Sequence, residues 1–182
     1  MATSQAVSEG AGSGARSKAS AVKERSLSLV DAATLALIAI VVVLVSLPRL
    51  RRFALRENET DAIAMLRILA VDAIANREAL DAGGLSALLA ASTGHRVRLE
   101  DVEVLDDGRL RRHGYVFESV RDAEDRPVLL AWPWDHGRTG VAAFAVEPGG
   151  PVLGLPNGDG RFTGLASPPR DMTDPWRVIP GS

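Results

Sequence analysis

The sequence predicts an α+β protein in which a long N-terminal helix, half membrane-spanning and half amphipathic, packs on a small antiparallel β-sheet. Three observations carry this. A charge-free apolar run extends from Ala32 to Leu47 and stops at Pro48. Beyond it, apolar residues recur at helical spacing as far as Gly83-Gly84. From Val97 onward the pattern changes to short alternating runs separated by Gly- and Asp-bearing turns.

Composition narrows the function classes. The chain has 182 residues, room for one modest domain and a membrane segment. Its net charge of -2 provides no global basic field, so no nucleic-acid partner is expected. There is no cysteine, which excludes disulfides, thiolate chemistry and Cys-ligated zinc. Aromatic residues make up only 4%, so the core must rest on Val, Leu, Ala and a few rings.

Residues 1–26 form a leader rich in Ala, Ser and Gly, with little to bury; it is expected to be disordered. Its end is basic, through Arg16, Lys18, Lys23 and Arg25. Residues 27–48 are expected to span a membrane. A helix over Leu27 to Leu47 is about 31 Å long at ~1.5 Å per residue, close to the ~30 Å hydrocarbon thickness. A cleaved secretory signal is the rival reading, but Val45-Ser46-Leu47-Pro48 is a poor small-x-small cleavage site. One acidic residue, Asp31, stands at the front edge of the span. An Asp costs roughly 2.5–3.5 kcal/mol at mid-membrane and less near the edge. Arg49, Arg51, Arg52 and Arg56 follow the span, so basic residues flank it on both sides and charge alone does not orient it. This cluster suits anchoring to headgroups or anionic lipid.

Residues 49–82 read as the amphipathic soluble half of the same helix, kinked at Pro48. Ile63, Leu66, Ala70, Ala73/Ile74 and Arg77 mark one stripe, which is apolar from Ile63 to Ile74. The two glycines end it. Leu85 to Ala91 follows as a short second helix, closed by Ser92-Thr93-Gly94. Residues 83–182 otherwise form the sheet region. Expected strands are Val97–Leu99, Val102–Val104, Gly114–Val120, Val128–Trp132 and Val141–Glu147, the last with Phe144 and Val146 on one face. Short turns such as Asp106-Asp107-Gly108 favour an antiparallel meander. The Pro/Gly-rich tail from Pro148 is expected to be mostly loop. A small sheet gives the amphipathic helix the cover that it needs.

At Ser26-Leu27-Ser28-Leu29-Val30-Asp31 the chain resembles the type IV pilin-like family, the pilins and the pseudopilins of type II secretion. That family has a basic leader, a small residue, a hydrophobic first mature residue and an acidic residue four places on, followed by an apolar helix interrupted by proline. Ser26 matches the last leader residue and Leu27 the first mature one; Asp31 and Pro48 fall at the acidic and proline positions. Ser, Leu and Asp stand where the family usually has Gly, Phe and Glu. Glu57-Asn58-Glu59 and Ala62 to Arg67 look like the family's soluble half-helix. Gly114–Phe117, Gly137–Gly140 and Phe144–Glu147 resemble its strands and turns. The resemblance implies leader processing between Ser26 and Leu27 by a prepilin peptidase, and methylation of Leu27. It implies a bacterial inner-membrane location, with the leader cytoplasmic and the sheet domain extracytoplasmic. It also implies like subunits or other pilins and an inner-membrane assembly platform as partners. Cleavage would create an amine at Leu27 inside the membrane, and a carboxylate from a neighbouring subunit relieves much of that cost. Asp31 is the residue for that role. The competing reading makes Asp31 an N-terminal capping residue favoured by the helix dipole, on a single-pass protein with an extracytoplasmic binding domain that does not polymerise.

No enzyme is expected. His95, His113 and His136 show no metal-ligand spacing, and there is no Gly-x-Ser-x-Gly elbow. Asp135-His136 is the one suggestive pair, read as a solvated loop histidine beside its neighbour. No cofactor is expected. Asn157-Gly158-Asp159-Gly160 hints at calcium, with Asp171 and Asp174 as further oxygen donors, but it lacks the spaced ligands of an EF-hand loop, and a plain turn is the favoured reading. Trp132-Pro133-Trp134 is read as core cover in preference to an exposed docking patch.

Overall fold

The structure, a computed structural model, describes residues 28–92, 101–170 and 175–180. Two helices, α1 (Leu29–Ala75) and α2 (Arg77–Ala91), precede seven strands. These are β1 (Glu103–Val104), β2 (Leu110–Arg112), β3 (Tyr115–Arg121), β4 (Pro127–Pro133), β5 (Ala143–Val146), β6 (Leu153–Leu155) and β7 (Arg177–Val178). They make one sheet in chain order, each strand antiparallel to the next. The architecture is α+β, with a long N-terminal helix and an antiparallel meander. Expected strand Val97–Leu99, the leader and Asp171 and Asp174 lie outside the described residues.

The chain divides into two compact units, Met1–Val41 and Val42–Ser182. In the first, α1 exposes Leu29, Val30, Leu35, Leu37, Ile38 and Ile40. α1 is long and apolar enough to cross a membrane.

In the second unit α1 continues as helix through Pro48 to Ala75. Pro48 has no N–H to give the Leu44 carbonyl one turn back. The buried face is Ala62, Met65, Leu66, Leu69, Ala70 and Ala73, an i, i+3, i+4, i+7 progression. It is rotated from the expected stripe. Met65 and Leu69 are fully buried, whereas Ile74 is 60% exposed. Leu66, Ala70 and Ala73 of the expected stripe remain buried, and Ile63 packs partly against the core.

The expected helix over 49–82 is interrupted earlier than the glycines. Asn76 (φ −127°, ψ 44°) leaves the helical region between α1 and α2. Its side-chain amide donates to the Asp72 carbonyl at 3.2 Å. Gly83 and Gly84 are non-helical, Gly84 at φ 65°, so the helical geometry breaks at the two glycines as expected, and α2 is two helical segments joined at a kink. Leu85 to Ala91 is helical as expected. It closes at Ser92, whose N–H and hydroxyl both donate to the Leu88 carbonyl at 2.9 Å.

The sheet is covered on both faces, which is why all of β4 is buried. One face sets Tyr115, Phe117, Leu129, Ala131, Phe144 and Val146 against Met65, Leu66, Leu69, Leu85 and Leu88 of the helices. The other carries Val116, Leu130, Trp132, Ala143, Ala145 and Leu155, covered by Phe162 with Trp176 packed alongside. The tail is therefore more than loop. It supplies β6, which pairs with β5 at Ala143↔Leu155, Phe144↔Gly154 and Ala145↔Leu153, and β7, which pairs with β6 at Leu153↔Val178 and Gly154↔Arg177. It also covers the second face. Val152, Leu155 and Phe162 give it apolar side chains to bury. Leu110–Arg112, which no alternation marks, forms β2 by pairing with Tyr115–Phe117 across a turn at His113-Gly114 where both residues have positive φ.

Candidate functional site

Leader-processing residues Ser26 and Leu27 lie outside the described residues. Asp31 sits in the first turn of α1. There Ser28 and Asp31 form a reciprocal capping box. Ser28 N–H and its hydroxyl donate to Asp31 Oδ2 at 3.2 and 2.9 Å, and Asp31 N–H donates back to Ser28 Oγ at 3.1 Å. The signal was present as Ser-x-x-Asp before an apolar run. Both contacts to the carboxylate use Oδ2; among the described residues Oδ1 has no hydrogen bond. The box orients the carboxylate at the helix N-terminus, where the backbone dipole favours negative charge. Pro48 lies far along the same helix, so the structure does not bring these two residues together.

A second group of polar residues, which the sequence reading did not single out as a site, fixes α1 to the loop between β4 and β5. Arg51 donates to the Gly137 carbonyl at 2.7 Å and Asn58 to the Thr139 carbonyl at 2.8 Å. Glu59 Oε1 accepts the N–H groups of Val141 and Ala142 at 3.0 and 3.2 Å. Arg51 lies two turns before the adjacent Asn58 and Glu59 on one helix, and these side chains match successive backbone groups of the loop. Below them the Tyr115 hydroxyl donates to the Ala142 carbonyl at 3.1 Å. Burial, and secondarily the Glu59 charge, push its phenol pKa up. Asp61 extends the row, with His113 Nδ1 at 3.1 Å and Arg112 at 3.5 Å.

The remaining candidates take structural places. His136 is half-buried: its backbone N–H donates to Thr163 Oγ1 at 3.1 Å, and its ring lies against Gly160. In the loop suspected of calcium binding, the Asn157 amide is buried, donating to the Phe162 carbonyl at 2.7 Å and accepting Phe162 N–H at 3.0 Å. Those bonds close a turn and leave that side chain no oxygen turned outward. Among the described residues no group of three or more His, Cys, Asp or Glu could hold a metal ion. Trp132 is core, its indole donating to the Gly164 carbonyl at 2.7 Å. Trp134 is half-buried beneath the Arg111 guanidinium, 4.7 Å from the ring centroid.

No pair of these groups forms a nucleophile and base. What the arrangement offers is a capped acidic residue at the head of an apolar helix and a firmly latched helix–sheet domain. In comparison with known proteins, no family model, no curated protein and no solved structure matches this chain.

Proposed function

We propose that this chain is a non-enzymatic pilin-like or pseudopilin-like subunit, inserted in a bacterial inner membrane and assembling through its N-terminal helix into a pilus or secretion pseudopilus. The observation that supports this reading is Asp31: a carboxylate in the first turn of an apolar helix, held by Ser28 through one oxygen. The other oxygen is available to a charge from outside the chain. Cleavage after Ser26 supplies that charge as the Leu27 amine of a neighbouring subunit. In a low-dielectric helix bundle such a pair is strongly favoured over either ion alone. The sheet domain then stands extracytoplasmic, and the work of the subunit is assembly and contact with like subunits and an assembly platform.

The Ser28–Asp31 box also supports a second reading, a single-pass anchored domain in which Asp31 only caps the helix. Mass spectrometry of the membrane-extracted protein separates the two. Assembly expects an N-terminus at Leu27, methylated or not. An intact Met1 terminus, or one just beyond residue 48, overturns it.

A further inference from the structure

Three arginines that have no partner among the described residues surround an apolar groove in the second unit. Arg52 and Arg56 stand one turn apart on α1, and Arg177 comes from β7 at the sheet edge. Among the described residues none of the three makes an ion pair or side-chain hydrogen bond, although most other arginines of the domain do. Leu55, Phe144, Leu155, Val178, Ile179 and Pro180 supply the walls. Glu59 is the single acidic lining residue, and its Oε1 already accepts two backbone N–H groups. The groove holds about 530 Å³, inside the ~300–1,000 Å³ range of small-molecule sites.

From this geometry we infer that the groove binds an anionic phospholipid of the surrounding bilayer, its phosphate among the three guanidiniums and the upper part of an acyl chain along the apolar walls. Two features single out this occupant. The first is charge: three arginines over an apolar floor complement an anionic amphiphile, and guanidinium pairs phosphate through two parallel N–H···O bonds. The second is position. At ~1.5 Å per residue, Arg52 lies about 7.5 Å and Arg56 about 13.5 Å along the helix from Leu47, where the charge-free run ends. The headgroup layer occupies roughly 5–8 Å on each side of the hydrocarbon. Arg52 is therefore level with phosphates, and Arg56 reaches down to them by extending its stem. Arg177 separates this site from ordinary juxtamembrane attraction. It is remote in sequence from the span, and only the fold brings it to the same groove. The inference needs the span but not polymerisation.

The test uses the full chain reconstituted in phosphatidylcholine bilayers. One sample carries photoreactive phosphatidylglycerol; its twin carries phosphatidylcholine with the same photoreactive acyl chain. Adducts are mapped by mass spectrometry. Phosphatidylglycerol should label Leu55, Val178 and their neighbours, and phosphatidylcholine should not. Arg177→Gln should cut the groove adducts about fivefold, the weight of one basic residue at an anionic surface. Arg177→Lys should restore most of them, which excludes simple misfolding. Arg138→Gln, away from the groove, should change nothing. Equal labelling by the two headgroups, an Arg177→Gln variant that labels like the parent, or groove residues that cross-link to a second copy in place of lipid would each overturn the inference.

Discussion

Glu59 Oε1 lies 3.0 Å from the Val141 amide nitrogen, joining the middle of α1 to the chain just before β5. The same oxygen receives Ala142 N–H, so one carboxylate satisfies two successive donors that no strand partner reaches. Removing it as Glu59→Ala leaves both donors partly buried and unpaired, and should cost about 1–3 kcal/mol. Glu59→Gln keeps an acceptor oxygen and should cost clearly less. Denaturant titration of the full chain in an uncharged detergent measures both. Equal losses would mean that the charge, and not the acceptor, is what matters.

Tyr115 is the only tyrosine, so ultraviolet absorbance during a pH titration reports it alone. Burial raises its pKa above the ordinary 10.0, with Glu59 adding to the effect. The folded state therefore holds the proton more tightly than the unfolded one. That difference favours folding fully below pH 10 and is lost as pH rises further. Tyrosinate should appear only in a steep step that coincides with unfolding by circular dichroism. A gradual titration centred near 10 with the fold intact contradicts the buried phenol.

Gly140 faces that ring. A Cβ placed there would lie 2.1 Å from the Tyr115 hydroxyl oxygen. Gly140→Ala must displace a buried aromatic, and overpacking of this kind costs about 1–3 kcal/mol. Thermal unfolding of the variant should show the loss; a melting temperature equal to that of the parent would show that the ring moves aside freely.

Asp122 holds the β3–β4 turn by accepting the N–H groups of Glu124 and Arg126 at 3.0 and 2.8 Å. These bonds, the Arg126 backbone first, lower its pKa below 3.8. The Arg109 side chain likewise lowers that of Asp107 in the turn before β2. Depressed carboxylates favour folding above the unfolded value, and that contribution fades as pH falls through the folded one. Carboxyl carbon shifts followed by NMR should show both residues titrating below the ordinary 3.8. Arg109→Gln should return Asp107 toward 3.8 and leave Asp122 in place.

Ser28→Ala and Asp31→Ala both break the capping box, a loss of about 1 kcal/mol of helix stability. Their effects on assembly should differ. Asp31→Ala should insert normally and yield no pelletable polymer, whereas Ser28→Ala keeps the carboxylate and should retain polymer. Equal yields from the two variants would reduce Asp31 to a cap.

The parts of the fold legible in the sequence are those whose burial is local. β3, β4 and β5 alternate or run apolar within themselves, and each was placed within a few residues. β6 and β7 were not legible, because Leu153-Gly154-Leu155 acquires strand geometry by pairing with β5, and Arg177-Val178 by pairing with β6. Gly154 reads as a breaker, yet a Cβ there would come within 3.1 Å of Ile179 Cδ1, so the glycine permits that pairing. The buried face of α1 was legible in part: Leu66, Ala70 and Ala73 of the expected stripe are buried, whereas Met65 and Leu69 were missed and Ile74 is exposed. Within the site, Asp31 was evident from one charge among apolar residues. Glu59, Asn58 and Arg51 had no such contrast: on a polar helix face only the tertiary fold distinguishes a latch from a solvated charge.

The strands occupy the sheet in the order of their synthesis, so every hairpin finds its docking margin already built. The roof over Trp132 is an exception. Phe162 and Trp176 come from the final stretch of the chain, and β7 after them. Until those residues have been made, the Trp132 face of the sheet lacks its cover, although the apolar first helix was made long before. Closing that face therefore waits on sequence far from the strands it covers, whereas the opposite face can close on α1 and α2, which precede the sheet.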